Sequence, residues 1–239
     1  MPVVDVTFTP AELGKERLSD AVVVAIDVLR ATTTAVTALS NGAAAVQAVA
    51  EPEEGRALLA ALGEGAGLLG GERHGRPLPG FALGNSPAEY QPGRVRGKRI
   101  ILTTTNGTRL LALCQEAREV VLAALVNAGA VARWLAGRPE RVVVACAGRV
   151  GGFSLEDTVC AGLIVRRLGP GWQPTARAAA AVGLYGLYRD QLVRALGESP
   201  HGRYLADIGL GADLADCARV DRYALVPRRR EGIFRAEHA

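Results

Sequence analysis

Aromatic residues make up only 5% of the chain, so a core must be built from Ala, Val and Leu. Lysine is almost missing: Lys15 and Lys98 stand alone, and arginine carries the positive charge. The cysteines, Cys114, Cys146, Cys160 and Cys217, form no C-x-x-C pair and have no histidine at zinc-ligand spacing, which excludes a structural zinc site. Apolar neighbours flank Cys146 and Cys160, as expected of buried free thiols in a reducing, cytoplasmic compartment. Long hydrophobic runs are lacking too. Each apolar stretch is broken by charge or glycine, so no membrane span is expected, and the opening MPVVDVTFTP does not read as a signal peptide. No basic stripe with interleaved aromatics appears, which argues against nucleic acid. The net charge of +4 suits a small anionic ligand instead.

What is present is ordinary for a globular α/β chain. The 239 residues are 49% hydrophobic and 22% charged, enough for one large catalytic unit. β-rich runs at 3–8, 22–27, 45–49, 67–70, 99–104, 119–123 and 141–145 alternate with helical patterns at 33–40, 53–61, 108–114, 126–135 and 155–168. Val22–Ile26 and Val142–Val144 are apolar at consecutive positions, the mark of strands buried on both faces. The alternation predicts an α/β fold with a largely parallel or mixed sheet and helices on both faces. The segments IDVLRATTTAVTAL and IILTTTNGTRLLAL echo each other, as in an internal pseudo-duplication or simply two βα units with Thr-rich helix starts. The stretch 72–98 reads as a long functional loop. The region from Pro170 to Cys217 reads as mostly helical, 223–226 as a last short strand, and Arg228–Arg230 as a solvated tail.

Ligands of open α/β sheets bind at the carboxyl ends of the strands. The polar residues predicted there are Asp27 and Arg30; Glu72 and Arg73; Thr103, Thr104, Thr105, Asn106 and Thr108; and Arg149, Ser154, Glu156 and Asp157. This reading delivers them to one edge. The runs Thr32–Thr34 and Thr104–Thr108 open helices, where free N–H groups, hydroxyls and the close approach allowed by Gly107 suit a phosphate; plain helix capping explains the same residues. The carboxylates Asp27, Glu72, Glu156 and Asp157 suit a hard cation such as Mg²⁺, which would polarise a phosphoryl group and acidify a bound water. The helix dipole also accounts for Glu156 and Asp157, and pairing with Arg30 accounts for Asp27.

Common phosphatase signatures are absent. Two residues past Asp27 stands Leu29, where a haloacid-dehalogenase site needs Asp; Gly152 stands where a C-x₅-R motif starting at Cys146 needs Arg. Arg73-His74-Gly75 spells part of a histidine-phosphatase motif away from the first strand, where that motif belongs, and 93–98 is one residue short of a Walker loop.

The stretches IDVLRATTT, GGERHGRPLPGFALGNSPAEY, TTTNGT, CAGRVGGFSLEDTVCAG and SPHGRYLADIGLGADLADC occur in one order, and together the chain resembles the 2-phosphosulfolactate phosphatase family. The resemblance implies an α/β fold of its own type and a Mg²⁺-dependent phosphatase converting 2-phospho-3-sulfolactate to 3-sulfolactate and phosphate, a step towards coenzyme M. For the strand-end residues the expectation is then that Asp27, Glu72 and Asp157 or Glu156 hold Mg²⁺, that Thr32–Thr34 and Thr104–Thr108 cradle the phosphate, and that Arg30 and Arg73 neutralise charge. Asn85, Ser86, Ser154 and Arg149 would then bind the remainder of the substrate. Gly152 departs from the resemblance, which implies Arg before FSLED, so Arg149 would take that part. Attack by water or by Asp27 itself, a different phosphorylated hydroxy acid as substrate, and a non-catalytic phosphometabolite-binding protein stay open, as does a homodimer.

Overall fold

The apolar run Ala21–Ile26 is buried at every position in the structure, a computed structural model that describes residues 1–138 and 141–238. Val22, Val24 and Ile26 enter one hydrophobic core, and Ala21, Val23 and Ala25 enter another. Successive strand residues point to opposite faces, so this strand has a core on each side, as its unbroken apolar pattern predicts. The first core packs it against the helices Ala128–Leu135, Leu155–Leu168 and Ala176–Tyr188; the second against the helices Ala31–Ser40 and Gly107–Leu113.

The strands are β1 (Val3–Thr7), β2 (Ala21–Ile26), β3 (Ala45–Ala48), β4 (Gly67–Arg73), β5 (Arg76–Pro77), β6 (Arg99–Thr103), β7 (Glu119–Ala123), β8 (Arg141–Cys146), β9 (Gln173–Pro174), β10 (Leu225–Arg230) and β11 (Ile233–His238). Among the described residues they form one mixed 11-stranded sheet in the order β5-β4-β6-β3-β11-β10-β7-β2-β8-β1-β9. β7, β2, β8 and β1 are parallel to one another, as are β3, β6 and β4. Between these halves sits the antiparallel hairpin β10–β11, antiparallel to β7 on one side and to β3 on the other.

This hairpin corrects two expectations. Arg228–Arg230 is no solvated tail but part of β10. The last strand runs Leu225–Arg230 and has a partner strand, which the sequence reading lacked. Its charge hid it: Arg228 is half-buried and pairs with Glu119 at 2.8 Å. The stretch 72–98 is also less irregular than expected, since it holds β5, a 3-10 turn at Pro87–Glu89 and a short helix at Pro92–Val95. Helices at Ala176–Tyr188, Leu192–Glu198, Pro200–Asp207 and Ala212–Cys217 fill the region after Pro170.

The insertion reverses one half of the sheet relative to the other, so the ends of β2 and β8 do not share a flat edge with those of β4 and β6. Twist reunites them. Five steps separate β6 from β2; at roughly 20–25° each they rotate by roughly 100–125°, undoing much of the opposition. Gly107, just past β6, therefore lies against Asp27, just past β2. A Cβ on Gly107 would sit 3.0 Å from Asp27 Oδ2 and 2.8 Å from the Ala31 Cβ, closer than packed atoms stand, so glycine is required there.

Candidate active site

The turn after β2 is built by side chains that satisfy backbone groups. The Thr32 hydroxyl donates to the Asp27 carbonyl at 2.8 Å and accepts from the Asp27 N–H at 2.9 Å. Thr33 donates to the Val28 carbonyl and Thr34 to the Asn85 carbonyl, both at 2.8 Å. Threonine is a mediocre helix former, but here its hydroxyls tie the helix start to the strand end. Asp157 joins this turn to the one after β8, accepting from the Val28 N–H at 2.8 Å and the Gly148 N–H at 3.1 Å. Ser154 caps its helix by accepting from the Asp157 N–H.

Glu72 does the same for the other half of the sheet. It accepts from the Gly75 N–H at 2.7 Å, the Thr105 N–H at 2.8 Å and the Thr105 hydroxyl at 3.2 Å, binding the end of β4 to the end of β6. Arg30 is buried; it donates to Asp213 at 2.6 Å and to the Gly75 carbonyl at 2.9 Å. Ser86 donates to the other Asp213 oxygen at 2.6 Å. The turn at Gly75 is thus held from two sides.

Beside it opens a cleft of about 190 Å³, walled by Glu72, Thr105, Asn106, Arg149, His201 and Tyr204 among others. Arg149 lies over the Tyr204 ring at 5.6 Å, and the Tyr204 hydroxyl donates to the His74 carbonyl at 2.9 Å. Among the described residues no carboxylate forms an ion pair with Arg149, which lines the cleft. Asn106 accepts from the Val150 N–H at 3.2 Å, tying the turn after β6 to the loop after β8.

Behind this wall the acids are crowded. Burial pushes the Asp27 carboxyl up to about 7, against the Ala31 N–H and Arg30, and the charges of Glu72 and Glu156 add to the rise. Burial also raises Asp157 well above the ordinary carboxylate value, helped by Asp27 and Glu156. Glu156 is raised chiefly by burial. His201 moves the other way, down to about 4, through burial and the charges of Arg149 and Arg30.

The residues singled out from sequence sort into distinct places. Glu72, Thr105, Asn106 and Arg149 line the cleft. Asp27, Thr32, Thr104, Gly107 and Thr108 border a small, mostly apolar void. The hydroxyls of Thr32, Thr33 and Thr34 are committed to backbone carbonyls, as is that of Thr108, which donates to the Thr104 carbonyl. Arg30 and Ser86 converge on Asp213, Asn85 is buried, and Glu156, Asp157 and Ser154 sit at the start of one buried helix. Arg73 does not join them: it donates to the Ala50 carbonyl at 2.8 Å and approaches Glu51 at 4.0 Å. Alternation along β4 sends it to the side opposite Glu72. Three residues the sequence reading did not single out belong to the site: His201, Tyr204 and Asp213. The signal was present in SPHGRYL, where a serine cap and Pro start a helix that carries His and Tyr on one face.

A family model described as 2-phosphosulpholactate phosphatase matches residues 7–232. The chain belongs to the 2-phosphosulpholactate phosphatase family. Relatives named probable 2-phosphosulfolactate phosphatase support the assignment across the chain. One from Gloeobacter violaceus is 45% identical over 227 residues, 95% of this chain and 94% of that protein. Another from Synechococcus sp. (strain JA-3-3Ab) is 45% identical over 214 residues, 87% of this chain and 88% of its own. One from Caldanaerobacter subterraneus subsp. tengcongensis is 40% identical over 220 residues, 91% of each chain. Among the described residues, no helix is long and apolar enough to cross a membrane.

The site's chemistry is compatible with a Mg²⁺ ion of the water-rich kind. Among the described residues no three acidic, histidine or cysteine side chains converge as ligands. Mg²⁺ is commonly held by only one or two carboxylates, with water and substrate phosphate completing its shell. Asp27 Oδ2 accepts no hydrogen bond from the described residues, whereas Oδ1 accepts from the Ala31 N–H at 3.3 Å. Glu72 Oε1 accepts a single bond and so retains a lone pair. Both oxygens lie among mutually repelling acids that a cation would neutralise.

Proposed function

We propose that this protein hydrolyses 2-phospho-3-sulfolactate to 3-sulfolactate and phosphate, with Mg²⁺ held by Asp27 and Glu72. The observation that carries the reading is Arg149, without an ion-pair partner among the described residues, in a small cleft that Glu72 also lines, in a chain 45% identical to proteins named probable 2-phosphosulfolactate phosphatase. Bound Mg²⁺ would polarise the phosphoryl group and acidify a water. The chain's own residues do the rest. Arg149, fixed over Tyr204, attracts and orients an anionic group of the substrate. Glu72 holds the Gly75 and Thr105 turns at fixed spacing, so the cleft is preorganised before substrate arrives. Asp157 fixes the turns on the other side by its bonds to Val28 and Gly148.

Water is the favoured nucleophile. In this arrangement both Asp27 oxygens are engaged, Oδ1 by the Ala31 N–H and Oδ2 by the ion, which disfavours direct attack by Asp27. The test is phosphate release from synthetic 2-phospho-3-sulfolactate with Mg²⁺, with EDTA, and with Mg²⁺ restored. Release that needs Mg²⁺ and returns with it supports the proposal. Ligand protection in a thermal melt without release at any metal concentration would mean a binding protein.

A further inference from the structure

We propose that His201 is a catalytic residue, donating a hydrogen bond from Nε2 to the oxygen that leaves phosphorus. The proposal rests on the phosphatase reading above and adds to it another residue that lines the cleft.

The placement of His201 is tightly constrained. It stands near the start of the helix Pro200–Asp207, which Ser199 caps by accepting from the Gly202 N–H at 2.9 Å. A Cβ on Gly202 would lie 1.9 Å from the Leu196 carbonyl oxygen, so only glycine lets this helix lie so close to the preceding one. Three residues on, Tyr204 is anchored to His74 and supports Arg149. Residues at i and i+3 share a helix face, so one rigid element presents both His201 and Tyr204 to the cleft that Glu72 and Thr105 also line.

The ring orientation points to a function. Nδ1 faces Glu156 Oε1 at 3.8 Å, which turns the opposite ring nitrogen away from Glu156. The cleft is built for an anion, and an anionic oxygen beside Nε2 favours the tautomer with its proton there. At 3.8 Å Nδ1 makes no hydrogen bond to Glu156, so Glu156 does not hold the proton on that nitrogen. Burial, with the charges of Arg149 and Arg30, disfavours the charged ring, so it acts as a fixed dipole.

The reaction needs such a donor. As water oxygen bonds to phosphorus and the P–O bond to the substrate carbon breaks, the bonding electrons stay on the leaving oxygen. An aliphatic alkoxide is a poor leaving group, and a preorganised N–H meets the charge as it develops. The proton lost by the attacking water reaches the alcohol through solvent, so water and phosphate ester give alcohol and phosphate in balance.

The test compares wild type, His201→Ala and His201→Gln on phosphate monoesters of decreasing leaving-group pKa, from 2-phospho-3-sulfolactate and simple alkyl phosphates to p-nitrophenyl phosphate. His201→Ala should lower kcat by roughly 100-fold on alkyl esters and by less than about fivefold on p-nitrophenyl phosphate, whose leaving group needs no stabilisation. His201→Gln, which keeps a donor near Nε2, should fall between wild type and Ala. The ratio between substrates cancels the folded fraction, so partial unfolding cannot imitate the result. Equal losses on all esters, with wild type active, would overturn the role of His201 and leave the phosphatase reading standing. Wild type inactive on every ester would overturn both.

Discussion

Arg30 and Arg73 were equal candidates for meeting phosphoryl charge, and the fold separates them. Arg73 spends its donors on the Ala50 and Glu72 carbonyls at a half-exposed position. Arg73→Ala should therefore leave phosphate release within about twofold of wild type, since surface substitutions away from such sites usually change little. A loss beyond tenfold in a steady-state assay would return it to the site. Arg30 is locked to Asp213 with both side chains buried. Asp213→Ala leaves that guanidinium without its counter-charge and Ser86 without its acceptor. Breaking a buried pair from one side costs about 3–5 kcal/mol, to be read as a fall in urea midpoint. Glu72→Gln removes one acceptor from a carboxylate that takes three bonds and turns an N–H towards a backbone N–H. It should lose at least about 100-fold in Mg²⁺-dependent turnover and about 1–3 kcal/mol of stability. Undiminished turnover would remove Glu72 from the proposed metal site.

The element that organises the molecule is the hairpin β10–β11, and it was the least legible. Leu225, Val226, Ile233 and Phe234 are buried in it, each worth about 1.5–3 kcal/mol, together comparable to the ~5–15 kcal/mol that holds a whole domain. Deleting residues 225–238 should abolish the cooperative thermal transition seen by circular dichroism, although the deletion lies far from the cleft in sequence. A truncated chain that melts cooperatively near the wild-type temperature would refute the view that the hairpin joins the halves. The apolar strands were readable because period and burial coincide: β2 and β8 are apolar at successive positions and have a core on each face. β10 was not, because LVPRRR carries its charge where Glu119 and Glu237 receive it, and no local pattern reveals a partner a hundred residues away. The same limit applied to the site. Glu72 and Thr105 stand at strand ends, where the alternation of elements points, but Asp213, His201 and Tyr204 arrive on helices whose own periodicity says nothing of what they face.

At the scale of the molecule, the parallel half carrying β1, β2 and β8 is closed by a charge network away from the cleft. Asp5 on β1 accepts from Thr175 and Arg177, Arg177 also reaches Glu16 at 2.7 Å, and Glu16 pairs with Arg141 at the start of β8. Burial pushes the Asp5 carboxyl up, but the hydrogen bonds from Arg177, Thr175 and the Val6 N–H outweigh it and hold the group below its ordinary value of 3.8. The Arg177 hydrogen bond likewise holds Glu16 below 4.5. A carboxyl whose folded pKa is depressed stabilises the fold fully above its unfolded pKa, and the contribution disappears as pH falls through the folded value. Wild type should therefore exceed Arg177→Met in melting temperature by a constant margin from pH 7 to about 5. That margin should shrink steadily below pH 4.5, where Glu16 begins to take up protons in the unfolded chain, and further below 3.8 as Asp5 follows. Comparing the two proteins at each pH removes the contribution of the buried acids around Asp27, which shift in the opposite sense and are common to both. A margin that stayed constant to pH 3 would mean that Arg177 stabilises the molecule by packing along its stem and not through its charge.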